Sequence, residues 1–197
     1  MRPGRSRVCL AGGLLLLAAA TTARAAPTVN VGTVTLFANT LNSPFLIDVT
    51  GGDAVQGLNL DVQVGNGLTG GPSIVSVDII GPGTIFHSSN TGQSGAGLIG
   101  SQFFEATTTT NPAVGGGSVA ALGTLARITI DTTGYFSGDF DLKLSGTLNG
   151  SSNFGNLAGS FTNGTLHLVA APVPEPGAVA VIGVAVTALL RRTRLQM

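Results

Sequence analysis

Cysteine, tryptophan and charged side chains are scarce in this chain of 197 residues, and each scarcity removes a class of function. The one cysteine, Cys9, lies in an N-terminal apolar segment of the kind that is removed on export. The mature chain would then have no disulfide, no thiol nucleophile and no thiolate metal ligand. There is no Trp and a single Tyr, Tyr135, so few rings are available to stack on a sugar.

Charge is sparse and one-sided in the middle of the chain. Between Ala26 and Ala170 there are two positive and eight negative side chains, a balance of −6, and the neutral total arises from arginines near the two ends. An acidic surface repels phosphate backbones, which argues against a nucleic-acid partner. The sequence also lacks a serine nucleophile elbow, a zinc-protease helix and a phosphate loop, so none of these three kinds of catalytic site is predicted.

The N-terminal segment has the composition of a secretory signal. Three arginines precede the apolar core Leu10–Ala20, and the small residues Ala23 and Ala25 occupy the two positions that a signal peptidase reads. We therefore predict a signal peptide over residues 1–25, which forms an N-terminal helix and is cleaved after Ala25. Export would place residues 26–170 outside the cytoplasm.

The C-terminal segment, residues 171–197, combines a stiff polar spacer, an uncharged apolar run and a basic end. These parts are the motif Val173, Pro174, Glu175 and Pro176, the run Gly177–Leu190, and the arginines Arg191, Arg192 and Arg194. The two prolines hold the spacer extended, and the arginines favour the cytoplasmic side of a membrane. The segment resembles the PEP-CTERM sorting tail, also catalogued as an ice-binding protein C-terminal domain. That resemblance implies recognition and processing by a membrane-embedded exosortase of bacteria.

The apolar run is short for a membrane span. Its 14 residues make a helix of about 21 Å, against a hydrocarbon core of about 30 Å. Snorkelling arginines and local thinning of the bilayer would close part of that gap. We therefore predict a short C-terminal transmembrane helix at 177–190 that holds the protein at the membrane before processing.

The segment between the two ends, residues 26–170, is the size of one domain and reads as strands. Apolar residues alternate with polar ones at Leu58–Val64 and Phe140–Leu144, and turn residues such as Gly51-Gly52 and Asn163-Gly164 separate the strand segments. Other predicted strands are Val29–Phe37, Phe45–Thr50, Ile74–Ile80, Ser118–Ile130, Gly159–Phe161 and Thr165–Val169. The predicted fold is an antiparallel β-sandwich whose core includes Leu58, Leu60, Val62, Ile128, Ile130, Leu142 and Leu144. Residues 88–100 and 107–117 are predicted to be loops.

Two of these strands carry a second resemblance. Gly57-Leu58-Asn59-Leu60-Asp61-Val62 is similar to the early strand of cohesin-like and carbohydrate-binding jelly-roll modules, and Gly123-Thr124-Leu125-Ala126-Arg127-Ile128 is similar to a later one. The Asp-Pro that usually follows the early strand is replaced by Gly65-Asn66-Gly67. The resemblance implies a jelly-roll fold and a binding role, without naming a ligand.

The remaining candidate site is a set of carboxylates around one predicted turn. Asp131, Asp139 and Asp141 flank residues 132–138, where they could gather Ca²⁺ or supply the acid pair of a glycan hydrolase. Alternation of Asp139 and Asp141 with Phe140 is also typical of a solvated strand face, which is the interpretation that we favour. His87 and His167 lack partner motifs, so we interpret them as outward-facing strand residues. The chain has no internal repeat, and the flat threonine array needed for ice binding is therefore not predicted.

The sequence as a whole favours an exported, non-enzymatic envelope or matrix protein without a cofactor, although bound calcium stays open. Its predicted partners are signal peptidase, exosortase and either an extracellular polysaccharide or an envelope protein. The alternatives are a secreted glycan hydrolase and an ice-binding or adhesion protein.

Overall fold

The computed structural model describes residues 24–146 and 153–172, which form eleven β-strands and a short 3₁₀ turn at Gly115–Gly117. Most of the predicted signal and the whole tail from Val173, with both predicted terminal helices, lie outside these residues. Among the described residues, no helix is long and apolar enough to cross a bilayer. The strands are β1 Thr28–Asn30, β2 Thr33–Phe37, β3 Ser43–Thr50, β4 Gly57–Val64, β5 Ser73–Asp78, β6 Ser94–Ile99, β7 Phe103–Thr109, β8 Gly123–Asp131, β9 Gly138–Ser145, β10 Ser160–Thr162 and β11 Gly164–Val169.

The strands form two sheets that enclose one hydrophobic core. The five-stranded sheet has the order β10-β1-β3-β8-β5, and the six-stranded sheet has the order β2-β11-β9-β4-β7-β6. The prediction of an all-β sandwich is confirmed. The antiparallel arrangement that was predicted is found at the other strand pairs but is wrong at two, because β1 runs parallel to β10 and β2 runs parallel to β11.

The first predicted strand, Val29–Phe37, is divided between the two sheets. The break falls at Val31-Gly32, where Gly32 has a φ of +62°, in the left-handed region that glycine enters without a Cβ penalty. The chain makes the same change of sheet between β10 and β11, at Asn163. The first and last strands therefore run side by side through both sheets.

The core follows the alternation of the sequence. The seven residues predicted to face inward are all buried, with exposures of 0–4%: Leu58, Leu60, Val62, Ile128, Ile130, Leu142 and Leu144. Between them, Asn59, Asp61 and Gln63 are partly exposed on the opposite face of β4. Because successive side chains of a strand point to opposite faces, one face of the six-stranded sheet lies on the core and the other faces solvent.

The loops predicted at 88–100 and 107–117 are wrong in part, because they contain β6 and the end of β7. β6 is the edge strand of its sheet, and its register shifts at a bulge between Ser94 and Gly97. Nearly all of its residues are exposed, so no alternation of apolar and polar residues marks it. The strand predicted from Ser118 begins at Gly123 instead.

Four loops meet at one end of the sandwich. The strand register brings the end of β2 beside the end of β11, the start of β3 beside the end of β8, and the start of β5 beside the end of β8. We call this the exit end, because the chain leaves the sandwich there after Val169. It comprises that exit point and the loops 38–42, 65–72, 100–102 and 132–137.

Candidate functional site

Four carboxylates lie on the outward side of the six-stranded sheet, which we call the acidic face. Asp61 lies on β4, Glu105 on β7, and Asp139 and Asp141 on β9. They face outward because they alternate along their strands with buried or partly buried apolar residues. Half of the eight acidic residues of the predicted domain are thus gathered on one surface.

The acidic face has an uncompensated pair of like charges in the register of β4 and β7. Asp61 and Glu105 are directly opposite each other, both only partly exposed. Burial raises the pKa of Asp61, the nearby Glu105 carboxylate raises it further, and the weak hydrogen bond from the Ser145 hydroxyl (3.5 Å) lowers it. Like charges in directly opposite positions destabilise a sheet. The fold therefore bears an energetic cost at this point.

Each of the two carboxylates of β9 contacts a basic side chain. Asp139 contacts the ring nitrogen Nδ1 of His167, which lies directly opposite on β11. Asp141 forms an ion pair with Lys143 at 3.3 Å. All four side chains are well exposed, so each pair contributes little to stability. The uncompensated part of the acidic face is consequently the half around Asp61 and Glu105.

The predicted set Asp131, Asp139 and Asp141 is divided between the two sheets. Asp131 ends β8 in the five-stranded sheet, and the other two lie on β9 in the six-stranded sheet. The Asp131 carboxylate accepts a hydrogen bond from the backbone N–H of Thr133 at 2.8 Å, and bonding to Thr133 lowers the pKa of Asp131. Within the described ranges, no three His, Cys, Asp or Glu side chains are close enough to hold a metal ion.

The two histidines do not form a site together. His167 lies on β11 of the acidic face, as interpreted from its alternation, and contacts Asp139. His87 lies in a turn rather than a strand, exposed, with its Nδ1 at 3.2 Å from the Ile80 carbonyl oxygen. Each ring is thus engaged with a local neighbour on a different part of the sandwich.

Two surface clefts formed by the described residues are candidates for an active site, and neither is lined by a titratable side chain. The larger, about 530 Å³, is lined by residues that include Ile85, Ser89, Val114 and Leu122. The smaller, about 300 Å³, is lined by Thr35, Leu36, Phe37, Ser43, Pro44 and Val169. Their hydroxyl and apolar groups cannot supply the general acid and base that hydrolysis of a glycosidic bond needs.

The aromatic side chains do not form a flat sugar platform. Tyr135 is partly buried, and its ring meets that of Phe140 edge to face, with the centroids 5.6 Å apart and the planes at 86°. Phe136 is 74% exposed, at the tip of the same loop. One side of Tyr135 is therefore used in packing, which limits stacking on a carbohydrate ring.

Sequence reasoning missed the opposition of Asp61 and Glu105. Their separation in the chain gives no hint of contact, and β6, which precedes β7, was predicted to be loop. The one available signal was that Glu105 lies in a strand-like segment, Phe103–Thr109, which could have been paired with the predicted strand that contains Asp61. Such a pairing places Asp61 opposite Glu105 only in one register of the two strands, and the sequence does not provide that register.

No protein-family model matches this chain, and neither does any curated protein. Among solved structures, it is similar to the seventh ScaB type I cohesin of Pseudobacteroides cellulosolvens, with 14% identity, 76% of this chain and 96% of that chain covered, and a TM-score of 0.51. It is also similar to the sixth cohesin of scaffoldin B from Acetivibrio cellulolyticus, solved in complex with a dockerin, with 12% identity, coverages of 73% and 99%, and a TM-score of 0.52. A third is a type I cohesin–dockerin complex from Clostridium thermocellum, with 9% identity, coverages of 73% and 99%, and a TM-score of 0.51. At these identities the likeness shows the fold alone: the domain is a β-sandwich with a fold similar to that of cohesins.

Proposed function

We propose that this chain is an exported bacterial envelope or matrix protein whose β-sandwich is a non-catalytic binding module. The observation that carries the proposal is the uncompensated pair Asp61 and Glu105 on an open sheet surface. Natural sequences keep such locally unfavourable arrangements mainly where function requires them. A cationic group of a partner that lies against both carboxylates would relieve their repulsion.

The partner that suits this surface is a protein with basic side chains. A broad, polar sheet face offers the area of a macromolecular interface, whereas a small substrate requires a cleft with converging groups. Two of the similar structures are cohesins bound to dockerins, so this fold supports protein binding elsewhere. The analogy is one of fold, and an extracellular polysaccharide is the alternative ligand.

The route to the envelope rests on the two ends of the chain. The predicted signal over residues 1–25 supports export, and the resemblance of Val173–Pro176 and the following apolar run to a sorting tail supports processing by an exosortase. The membrane hold through residues 177–190 precedes that processing.

A binding comparison tests the module. The exported chain is immobilised and exposed separately to envelope proteins and to envelope polysaccharide, with retention and new reducing ends measured. Retention should weaken as salt rises, and it should fall in the double variant Asp61→Asn, Glu105→Gln. Asp48→Asn is the matched control, since it removes one exposed charge from β3 of the other sheet. Polysaccharide cleavage that is abolished by Asp139→Asn would overturn the proposal in favour of a hydrolase.

Cell fractionation tests export and sorting separately. Substitution of Pro174, Glu175 and Pro176 by Ala should leave an unprocessed protein in the membrane fraction, whereas the unsubstituted chain should be processed. Normal release of the substituted protein would remove the role assigned to the tail, and a full-length cytoplasmic product would contradict export.

A further inference from the structure

Exposed apolar side chains are concentrated at the exit end of the sandwich. Of the ten large hydrophobic residues with exposed side chains in the described ranges, six lie in or beside its loops. They are Phe37, Leu41, Leu68, Leu98, Ile99 and Phe136, with exposures from 46% for Leu98 to 74% for Phe136. Scattered exposed apolar residues are ordinary on protein surfaces, but a group at one end marks an interaction surface.

Specific hydrogen bonds hold these loops in place. The Asn66 carboxamide oxygen accepts from the backbone N–H of Leu68 at 2.9 Å and of Thr69 at 3.0 Å, which presents the Leu68 side chain outward. In the neighbouring pair of loops, the N–H of Asn39 donates to the Tyr135 carbonyl at 2.8 Å. The fully buried hydroxyl of Thr132 also joins these two loops. The exposed apolar side chains therefore lie on loops whose conformation is held by hydrogen bonds.

The four loops of the exit end contain no charged residue. The sequences 38–42, 65–72, 100–102 and 132–137 consist only of apolar, glycine, proline and uncharged polar residues. Two carboxylates, Asp131 and Asp139, frame the last of these loops, and no Lys or Arg lies in any of them. An apolar, uncharged tip bordered by acidic groups suits the interface of a neutral lipid surface and disfavours attraction to anionic lipid.

The exit end is joined by a short connection to the apolar run that is predicted to enter the membrane. β11 finishes at Val169 beside Phe37, and the N–H of Ala38 donates to the Val169 carbonyl at 2.8 Å. Only the seven residues Ala170–Pro176 separate that point from the uncharged run Gly177–Leu190. Seven extended residues span at most about 25 Å. A bilayer that holds the run therefore lies within about 30 Å of Val169, the residue paired with Phe37.

We propose that the exit end docks on the bilayer surface, with Phe37, Leu41 and Phe136 inserted among the lipid headgroups, so that Asp61 and Glu105 on the acidic face stay accessible to a partner. This inference rests on the proposed membrane hold of the tail. It adds a second, domain-borne contact and fixes the orientation of the sandwich on the lipid. A second copy of the chain and a protein partner are the competing occupants of the same surface.

Because the chain has no Trp, a single introduced Trp reports its own depth. The tail-bearing protein is purified from membranes and reconstituted into phosphatidylcholine vesicles that contain a brominated phosphatidylcholine, which quenches Trp in contact with it. Phe136→Trp at the exit end is compared with Leu122→Trp at the opposite end, since these positions are 74% and 71% exposed. Val184→Trp, in the middle of the apolar run, reports insertion of the tail.

We expect strong quenching of the Val184→Trp and Phe136→Trp variants and little quenching of Leu122→Trp. Adding Phe37→Ser and Leu41→Ser to Phe136→Trp should reduce its quenching. Equal quenching of the Phe136 and Leu122 variants, with the Val184 variant quenched, would overturn docking and leave the membrane hold intact. An unquenched Val184 variant would instead overturn the membrane hold, and the docking proposal that rests on it would fall with it. Shielding of the Phe136 variant that depends on protein concentration and not on lipid would assign the surface to a second copy and overturn docking.

Discussion

Replacing Asp61 by Asn should stabilise the protein, because it removes half of the uncompensated charge pair on the acidic face. The amide has nearly the same shape as the carboxyl, and it retains an oxygen for the Ser145 hydroxyl, so the change is mainly electrostatic. The expectation is unusual, since most substitutions destabilise a fold. It follows only if the opposition of Asp61 and Glu105 is unfavourable.

The size of the effect follows from the strand register. Directly opposite residues have Cβ atoms roughly 5 Å apart, so we take the carboxylates as about 6 Å apart. Two unit charges at that separation repel by about 0.7 kcal/mol in bulk water and by about 3 kcal/mol at an effective dielectric constant of about 20. Both side chains are partly exposed, which places the effect near the lower limit. We expect a gain of about 0.5–1 kcal/mol at neutral pH, or about 1–4 °C in Tm.

The pKa shift of Asp61 determines how the stabilisation by Asp61→Asn changes with pH. The pKa of Asp61 is raised in the folded state, so the folded protein binds a proton there more tightly than the unfolded chain does. The stability contributed by Asp61 is therefore complete below its unfolded pKa of about 3.9 and is lost as the pH rises through the raised folded pKa. The advantage of Asp61→Asn should accordingly be near zero at about pH 3 and reach its full size at neutral pH.

Urea unfolding followed by far-UV circular dichroism measures the difference in free energy of unfolding. A double-mutant cycle with Glu105→Gln isolates the repulsion between the two residues. Asp141→Asn is the matched control on the same face, and it should give no stabilisation, because Asp141 has the Lys143 ammonium as a partner. A destabilised Asp61→Asn variant, or a difference that does not change between acid and neutral pH, would refute the reasoning.

Three further substitutions test the core, the loop anchoring and a turn. Leu142 is fully buried, so Leu142→Asp should lower the free energy of unfolding by roughly 3 kcal/mol or more, whereas Leu142→Met should cost less than about 1.5 kcal/mol in the same denaturation experiment. Thr132→Val leaves the Thr40 N–H and the Phe37 carbonyl without their hydroxyl partner and should cost about 1–3 kcal/mol, which Thr132→Ser should largely restore. The pKa of Asp131 is lowered in the folded protein, so Asp131 contributes stability at a pH above the pKa of the unfolded chain, and this stability is lost as the pH falls through the folded-state pKa. In thermal melts, the Asp131→Asn variant should therefore have a lower Tm than the unsubstituted protein at neutral pH, and the two Tm values should converge in acid.

The parts of the fold that were predictable are those where local pattern and burial agree. β4 and β9 have one face on the core and one in water, so their alternation identified both the strands and their buried residues. β6 was not predicted, because an edge strand that is exposed on both faces has no alternation of apolar and polar residues in its sequence. The parallel pairs β1–β10 and β2–β11 escaped because they join segments more than 100 residues apart, about which local sequence carries no information.

The acidic face was predictable only in outline. The negative balance of the domain and the outward position of Asp139 and Asp141 followed from composition and alternation. Asp131 appeared to belong with them because it is close in sequence, but the loop after it changes sheets and separates the carboxylates. The opposition of Asp61 and Glu105 depends on the β4–β7 register, and the grouping of apolar residues at the exit end depends on four loops meeting, so neither follows from sequence alone.

The parallel pairing of the first strands with the last ones has a consequence for the timing of folding. β1 and β2 obtain their partners β10 and β11 only when residues near position 160 become available, after nearly the whole domain has been made. Contacts so distant in sequence are slow to form, because closing a long loop costs entropy before the contact offsets it. In the proposed export of this chain, that delay would leave the two sheets unclosed while the unfolded chain crosses the membrane. We expect the two sheets to close only once Gly164–Val169 has emerged, when the proposed sorting tail is the next segment to reach the membrane.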